Sequence, residues 1–273
     1  MKRNVSYLLP LLFLIFGSTI SAQAEYPALT RATPSALREE SSAVKRSTPS
    51  AEAINNLGCQ YSDAEQYEKA IEQFKLALNL KPQLHEAFNN LGFVYVKTGR
   101  LIEAIWPLQE AARLSPSNVH SRFNLAVVYD KLGQPQAAIE LLLQAIALKP
   151  DFDTAHNDLG TLYEQLGRRK EALKHLHEAV RLNPTNVVAL NNLGVAQTNA
   201  KQYDAARKAL QRAVELQPEL AQAQYNLGAL YVFKQNKRAA LDVHATLKQL
   251  DPELGRKLFN EIHSDKILDA SQR

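Results

Sequence analysis

A leucine followed by a glycine or alanine returns every 34 residues along most of this 273-residue chain. The pairs are Leu57-Gly58, Leu91-Gly92, Leu125-Ala126, Leu159-Gly160, Leu193-Gly194 and Leu227-Gly228. Other residues keep the same beat. Tyr61, Tyr95, Tyr129, Tyr163 and Tyr231 follow three residues after the small residue, with Gln197 in the remaining place. Ala70, Ala104, Ala138, Ala172, Ala206 and Ala240 follow nine residues later, and Pro82, Pro116, Pro150, Pro184, Pro218 and Pro252 end the units. A fixed period of this length marks a stacked array, because a unit this short cannot bury its apolar face alone.

Within a unit counted from Ala51 as position 1, Leu at 7 and Tyr at 11 share one helical face. The spacing predicts helix A over about positions 2–14 and helix B over about 18–31, with Gly99, Gly133 and Gly167 at position 15 ending helix A. Small residues at positions 8 and 20 let the two helices approach, and proline at 32 stops helix B. Leucine at position 30 is expected to seal each helix B onto its neighbours. Pro107 falls inside one helix B beside Trp106, where a local kink is expected.

The L-G-x-x-Y…A…P pattern, in phase six times over residues 51–254, resembles the tetratricopeptide repeat family. That resemblance implies an all-α protein, a right-handed α-solenoid of six helix-turn-helix repeats with a C-terminal capping helix. The repeats read as 51–84, 85–118, 119–152, 153–186, 187–220 and 221–254, and the cap and tail as 255–273. The sixth unit is degenerate in helix B, with His244 and Leu247 in place of the usual residues. Leu254, Leu258, Phe259 and Ile262 then share one face, as a cap requires.

The family resemblance also implies where a ligand sits. Helix A lines the concave face, through positions 2, 5, 6, 9, 12 and 13. Position 6 reads Asn56, Asn90, Asn124, Asp158, Asn192 and Asn226. Asparagine is a poor helix former, so its return at one interior position needs an explanation. A carboxamide donates and accepts, so a row of them suits the backbone of an extended peptide. The row is similar to the asparagine ladder in the repeat domain of the O-linked N-acetylglucosamine transferase. Alternatively, the asparagines bond locally between adjacent helices. Phe93, Phe123, Lys131 and Tyr225 complete the predicted groove, with apolar anchors toward its two ends. A chaperone-type carboxylate clamp is not expected, because its lysines are missing at position 2, which reads Glu52, Glu86, His120, Thr154, Val188 and Gln222.

The ends carry other information. Lys2 and Arg3, the apolar run from Val5 to about Phe16 and Ala22-Gln23-Ala24 have the layout of a secretory signal, read as residues 1–24. A flexible leader, 25–50, follows, too rich in Pro, Ser and charge to bury a core. An exported, periplasmic protein is the resulting expectation, with no integral membrane span after signal cleavage. The alternative is an uncleaved N-terminal anchor. The net charge of +4 is a small surplus and not a concentrated basic face, so nucleic acid is not an expected partner. No cofactor is expected and no metal. The seven histidines are not expected to cluster, and His175 and His177 point to different faces. One cysteine, Cys59, excludes an intramolecular disulfide and reads as a buried filler, the alternative being an intermolecular bridge in an oxidising compartment. No phosphate-cradling loop or nucleophile motif is present, so the expectation is a non-catalytic scaffold that binds a protein or extended peptide. The alternatives are a structural or oligomerising component acting through the convex face, and a glycan-binding module.

Overall fold

A computed structural model describes residues 49–270 of the protein, with side-chain surroundings through Ser264. The expected signal, most of the leader and the last three residues lie outside the described residues. Among those residues the structure is thirteen helices without a strand. They are α1 (Ala51–Asp63), α2 (Tyr67–Leu80), α3 (His85–Lys97), α4 (Leu101–Leu114), α5 (Val119–Lys131), α6 (Pro135–Leu148) and α7 (Asp153–Gln165). There follow α8 (Arg169–Leu182), α9 (Val187–Asn199), α10 (Tyr203–Leu216), α11 (Ala221–Phe233), α12 (Lys237–Leu250) and α13 (Pro252–Ala270). Each repeat is thus one antiparallel pair, with both helices starting one residue earlier than the spacing alone suggests. The chain divides into two compact units between Asp151 and Phe152, the first with three pairs and the second with three pairs and α13.

The turn between the helices of a pair is the same in all six repeats. Position 15 is left-handed at Gly99, Gly133 and Gly167, and equally at Glu65, Lys201 and Gln235 (φ from 57° to 75°). The next residue's N–H then reaches back to the carbonyl at position 11, as Arg100 does to Tyr95 and Gln202 to Gln197, both at 2.8 Å. This satisfies the carbonyls left open at the end of helix A. Glycine makes the conformation cheap at three turns, and the other three hold it against the cost of a Cβ.

Small residues set how closely the helices pack. The alanines at position 20 are all fully buried. A Cβ added at Gly58, Gly92, Gly160 or Gly194 would lie 2.4–2.6 Å from the residue at position 24: Phe74, Leu108, Leu176 or Leu210. In the last repeat that place is His244, and Gly228 meets Leu258 of α13 instead, at 2.5 Å. Leu258 is fully buried with Leu247 and Tyr225, so α13 supplies the apolar plug that the degenerate helix lacks. It covers the end of the second unit as a cap does.

One expectation needs correction. Leucine at position 30 seals the stack only in part, since Leu80, Leu148 and Leu250 are exposed while Leu114, Leu182 and Leu216 are half-buried. Helix B ends at that residue, and the sealing falls one turn earlier, to the fully buried Ala77, Ala111, Ala145, Ala179, Ala213 and Leu247. Pro107 stands inside a helix that runs from Leu101 to Leu114, with its ring buried.

Candidate peptide-binding groove

Successive A helices lie side by side within each unit, and the position-6 side chains face the neighbouring A helix. Asn90 Nδ2 donates to Asn55 Oδ1 at 3.0 Å, and Asn124 Nδ2 to Asn89 Oδ1 at 3.3 Å. In the second unit Asn192 Nδ2 donates to Asn157 Oδ1 at 3.0 Å and Asn226 Nδ2 to Asn191 Oδ1 at 2.7 Å. Each rung joins position 6 of one repeat to position 5 of the repeat before. Asn90, Asn124 and Asn226 are buried, whereas Asn56 and Asn192 are half-buried. The local-bonding alternative therefore accounts for the donors of four of these residues. Their carboxamides fasten the floor of the groove, which limits what they can offer a ligand.

In the second unit the rungs join into a chain with one direction. Gln222 Nε2 donates to Asn226 Oδ1, Asn226 to Asn191, Asn191 to Asn192, Asn192 to Asn157, and Asn157 Nδ2 to Asp158 Oδ1. Every amide group thus points its N–H toward the fully buried Asp158. A carboxylate only accepts, so it fixes the direction, and each bond polarises the next. Asp158 breaks the asparagine row because it terminates this chain. Beside it, Asn192 also donates to Thr161 Oγ1 at 3.3 Å, and Asn199 Nδ2 donates to Glu164 Oε1 at 2.8 Å. Glu164 is buried, which pushes its carboxyl above the usual carboxylate range against the opposing effects of the Asn199 bond and Arg169.

Profile models of this repeat match nearly all of the helical region, described as TPR repeat over residues 58–99 and as tetratricopeptide repeat over 107–153, 123–187, 157–221 and 191–253. The chain belongs to the tetratricopeptide repeat family. Among solved structures it is similar to the crystal structure of the APC/C hetero-tetramer Cut9-Hcn1 (22% identity, TM-score 0.70), with 78% of this chain covering 42% of that one. It is also similar to YrrB, described as a TPR protein with an unusual peptide-binding site (23% identity, TM-score 0.57, covering 71% of this chain and 97% of that one). A third is PilW, described as a widely conserved type IV pilus biogenesis factor (18% identity, TM-score 0.70, 77% and 98%). At these identities the likeness is one of fold. No curated protein matches the chain.

The other predicted groove residues of this tetratricopeptide array separate. Phe93 and Phe123 are buried, Phe93 with the Lys97 ammonium 5.6 Å from its ring, while Lys131 is exposed at the end of α5. Tyr225 is not open to a groove. It lies beneath α13, its hydroxyl donating to Glu261 Oε1 and the Lys257 ammonium 4.8 Å from its ring. Burial pushes its phenol well above the usual range, and the Glu261 bond adds to this. Cys59 is fully buried and accepts from Asn90 Nδ2 at 3.3 Å. The histidines do cluster once. His156 Nδ1 lies 3.0 Å from His175 Nδ1, their rings stacked between α7 and α8 beside Tyr163. Burial, followed by the His156 ring and Lys174, lowers the His175 imidazole to about 4. The pairing joins positions 4 and 23, which sequence adjacency hides. No three His, Cys, Asp or Glu side chains are placed to hold a metal ion among the described residues.

Proposed function

We propose that this protein is a non-catalytic scaffold that holds a protein or extended peptide segment along its A helices, in cell-envelope assembly, secretion or export. One observation carries the reading. The A-helix row holds polar side chains in places where packing alone would be served by apolar ones, and its inter-repeat bonds hold that face in a fixed register within each unit. Rigid presentation of polar groups is what recognition needs, because each group ordered in advance lowers the entropy lost on binding. The envelope role rests on the secretory layout of residues 1–24, and the likeness to a pilus biogenesis factor is compatible with it. Among the described residues no helix is long and apolar enough to cross a membrane.

A second reading has an observation of its own. Ile102 (69% exposed) and Trp106 (60%) stand one turn apart on α4, away from the A-helix row. Aromatic side chains left in water are frequent interface anchors, so a convex-face assembly contact fits them. A photo-crosslinking residue placed at Lys97 or Lys131, and in separate variants at Ile102, distinguishes the two. Partner capture in the cell from Lys97 and Lys131 supports the groove; capture from Ile102 alone overturns it in favour of the convex face.

A further inference from the structure

The A-helix row of the second unit is acidic in a specific way. Its eighteen positions in repeats four to six hold two carboxylates, Asp158 and Glu164, and no lysine, arginine or histidine. Both acids belong to α7 and both are at least nine-tenths buried. Asp158 receives the directed carboxamide chain. Glu164 receives only Asn199, through Oε1, and its Oε2 is buried with no hydrogen-bond partner. A buried acceptor without a donor is destabilising, because it has given up its bonds to water and gained none in return. The neighbouring side chains do not supply the donor: Arg169 acts on Glu164 by its charge without a hydrogen bond to it, Thr161 donates to the Asn157 carbonyl, and the two Asn192 bonds go to Asn157 and Thr161. What the site lacks is a donor.

We propose that the seam between α7 and α9 is a subsite for the lysine or arginine side chain of an extended peptide, with Glu164 as its acceptor. This rests on the peptide-binding reading above and names the chemistry of one of its contacts. The side chain enters from the groove side and donates to Oε2, while Asn199 keeps Oε1. Glu164 then exchanges an unmet acceptor for a charge-assisted hydrogen bond in a place shielded from water, where such bonds are strongest. Asp158, on the same helix, adds a second negative charge and favours a cation over a neutral donor. Lysine or arginine in a peptide also carries the apolar stem needed to cross the rim of the groove before its charged end is desolvated.

The test uses the full chain and a fluorescein-labelled dodecapeptide of alternating serine and arginine, with a counterpart carrying citrulline at every arginine. Citrulline keeps the shape and loses the charge. Fluorescence anisotropy is expected to show the arginine peptide bound at least tenfold more tightly than the citrulline peptide. Glu164→Gln keeps the acceptor for Asn199 and removes the charge, so it should abolish that ratio. Glu215→Gln makes the same charge change at an exposed site on α10 and should preserve it. Equal binding of the two peptides, or an unchanged ratio in Glu164→Gln with the helical signal intact, overturns the subsite. Displacement of the peptide by equimolar calcium would assign the carboxylates to a metal ion and overturn it too. A natural partner that crosslinks along the row with no basic residue at this place removes the subsite and leaves the scaffold reading standing.

Discussion

Asn192→Ala separates a structural rung from a mere helix residue. The substitution removes the bonds to Asn157 Oδ1 and Thr161 Oγ1 and the acceptor for Asn191 Nδ2. Asn157 is 3% exposed, so its oxygen is left buried without a donor, at a cost of about 1–3 kcal/mol. Thr161 loses less, because its hydroxyl still donates to the Asn157 carbonyl at 3.0 Å. Alanine offsets roughly 0.6 kcal/mol through its better helix propensity. The expected net loss is about 1–2 kcal/mol, felt between repeats four and five. An array of repeats does not unfold in one step. The assay is therefore native-state hydrogen exchange of the α7 and α9 amides, together with urea unfolding. Asn260→Ala, on the exposed side of α13, isolates the propensity change and should be neutral or slightly stabilising. If Asn192→Ala behaves like Asn260→Ala, the rung contributes nothing and the account of the asparagine row is wrong.

Three further outcomes follow from the packing and the titrating groups. Leu258→Ala removes the plug against Gly228 and should weaken the docking of α13 by about 2–5 kcal/mol, seen as faster exchange and new proteolysis in α13 while α7 to α10 stay protected. Cys59 should resist a thiol reagent in the native protein and react fully in urea, with no dimer on a non-reducing gel, because its sulfur is fully buried. His175 titrates at about 4 in the folded chain against about 6.5 when unfolded. Above 6.5 neither state binds this proton; between 6.5 and 4 only the unfolded state does, so stability falls as the pH drops through that window, by roughly 2 kcal/mol once about 1.4 kcal/mol per pH unit is reduced for solvent screening of the half-buried ring. His175→Leu should flatten the dependence, and an unchanged pH profile of unfolding would refute the assignment.

Most of the fold was legible because the period fixes which residues meet. Position 8 is glycine in four of the five repeats with a large apolar residue at position 24, and alanine in the fifth, a correspondence that can be read by counting. Which of the two readings of the asparagine row holds could not be read from the period, because its bonds do not keep it. The position-6 to position-5 rungs span 35 residues, one more than the period. The sequence signal for them is the polar pair at positions 5 and 6: Asn55, Asn89, Asn157 and Asn191 accept from the following repeat, and Asn90, Asn124, Asn192 and Asn226 donate to the preceding one. Tyr225 looked like a groove residue because its position is one; only the docking of α13 removes it. Leucine at position 30 misled in half of the units, because a residue repeated in every unit need not be buried when it stands on the last turn of a helix.

The plug at Leu258 decides how long this array can be. Within each other repeat that has glycine at position 8, the docking residue comes from the second helix of the same pair, so the next pair is free to follow. In the sixth it is borrowed from the chain that comes after. Adding a seventh pair at this end would force Leu258 away from Gly228 and leave His244 to fill the gap. The number of repeats is therefore set by an internal stop built from two residues. A designer wishing to lengthen the array would have to restore a large apolar side chain at His244 before cutting α13 away.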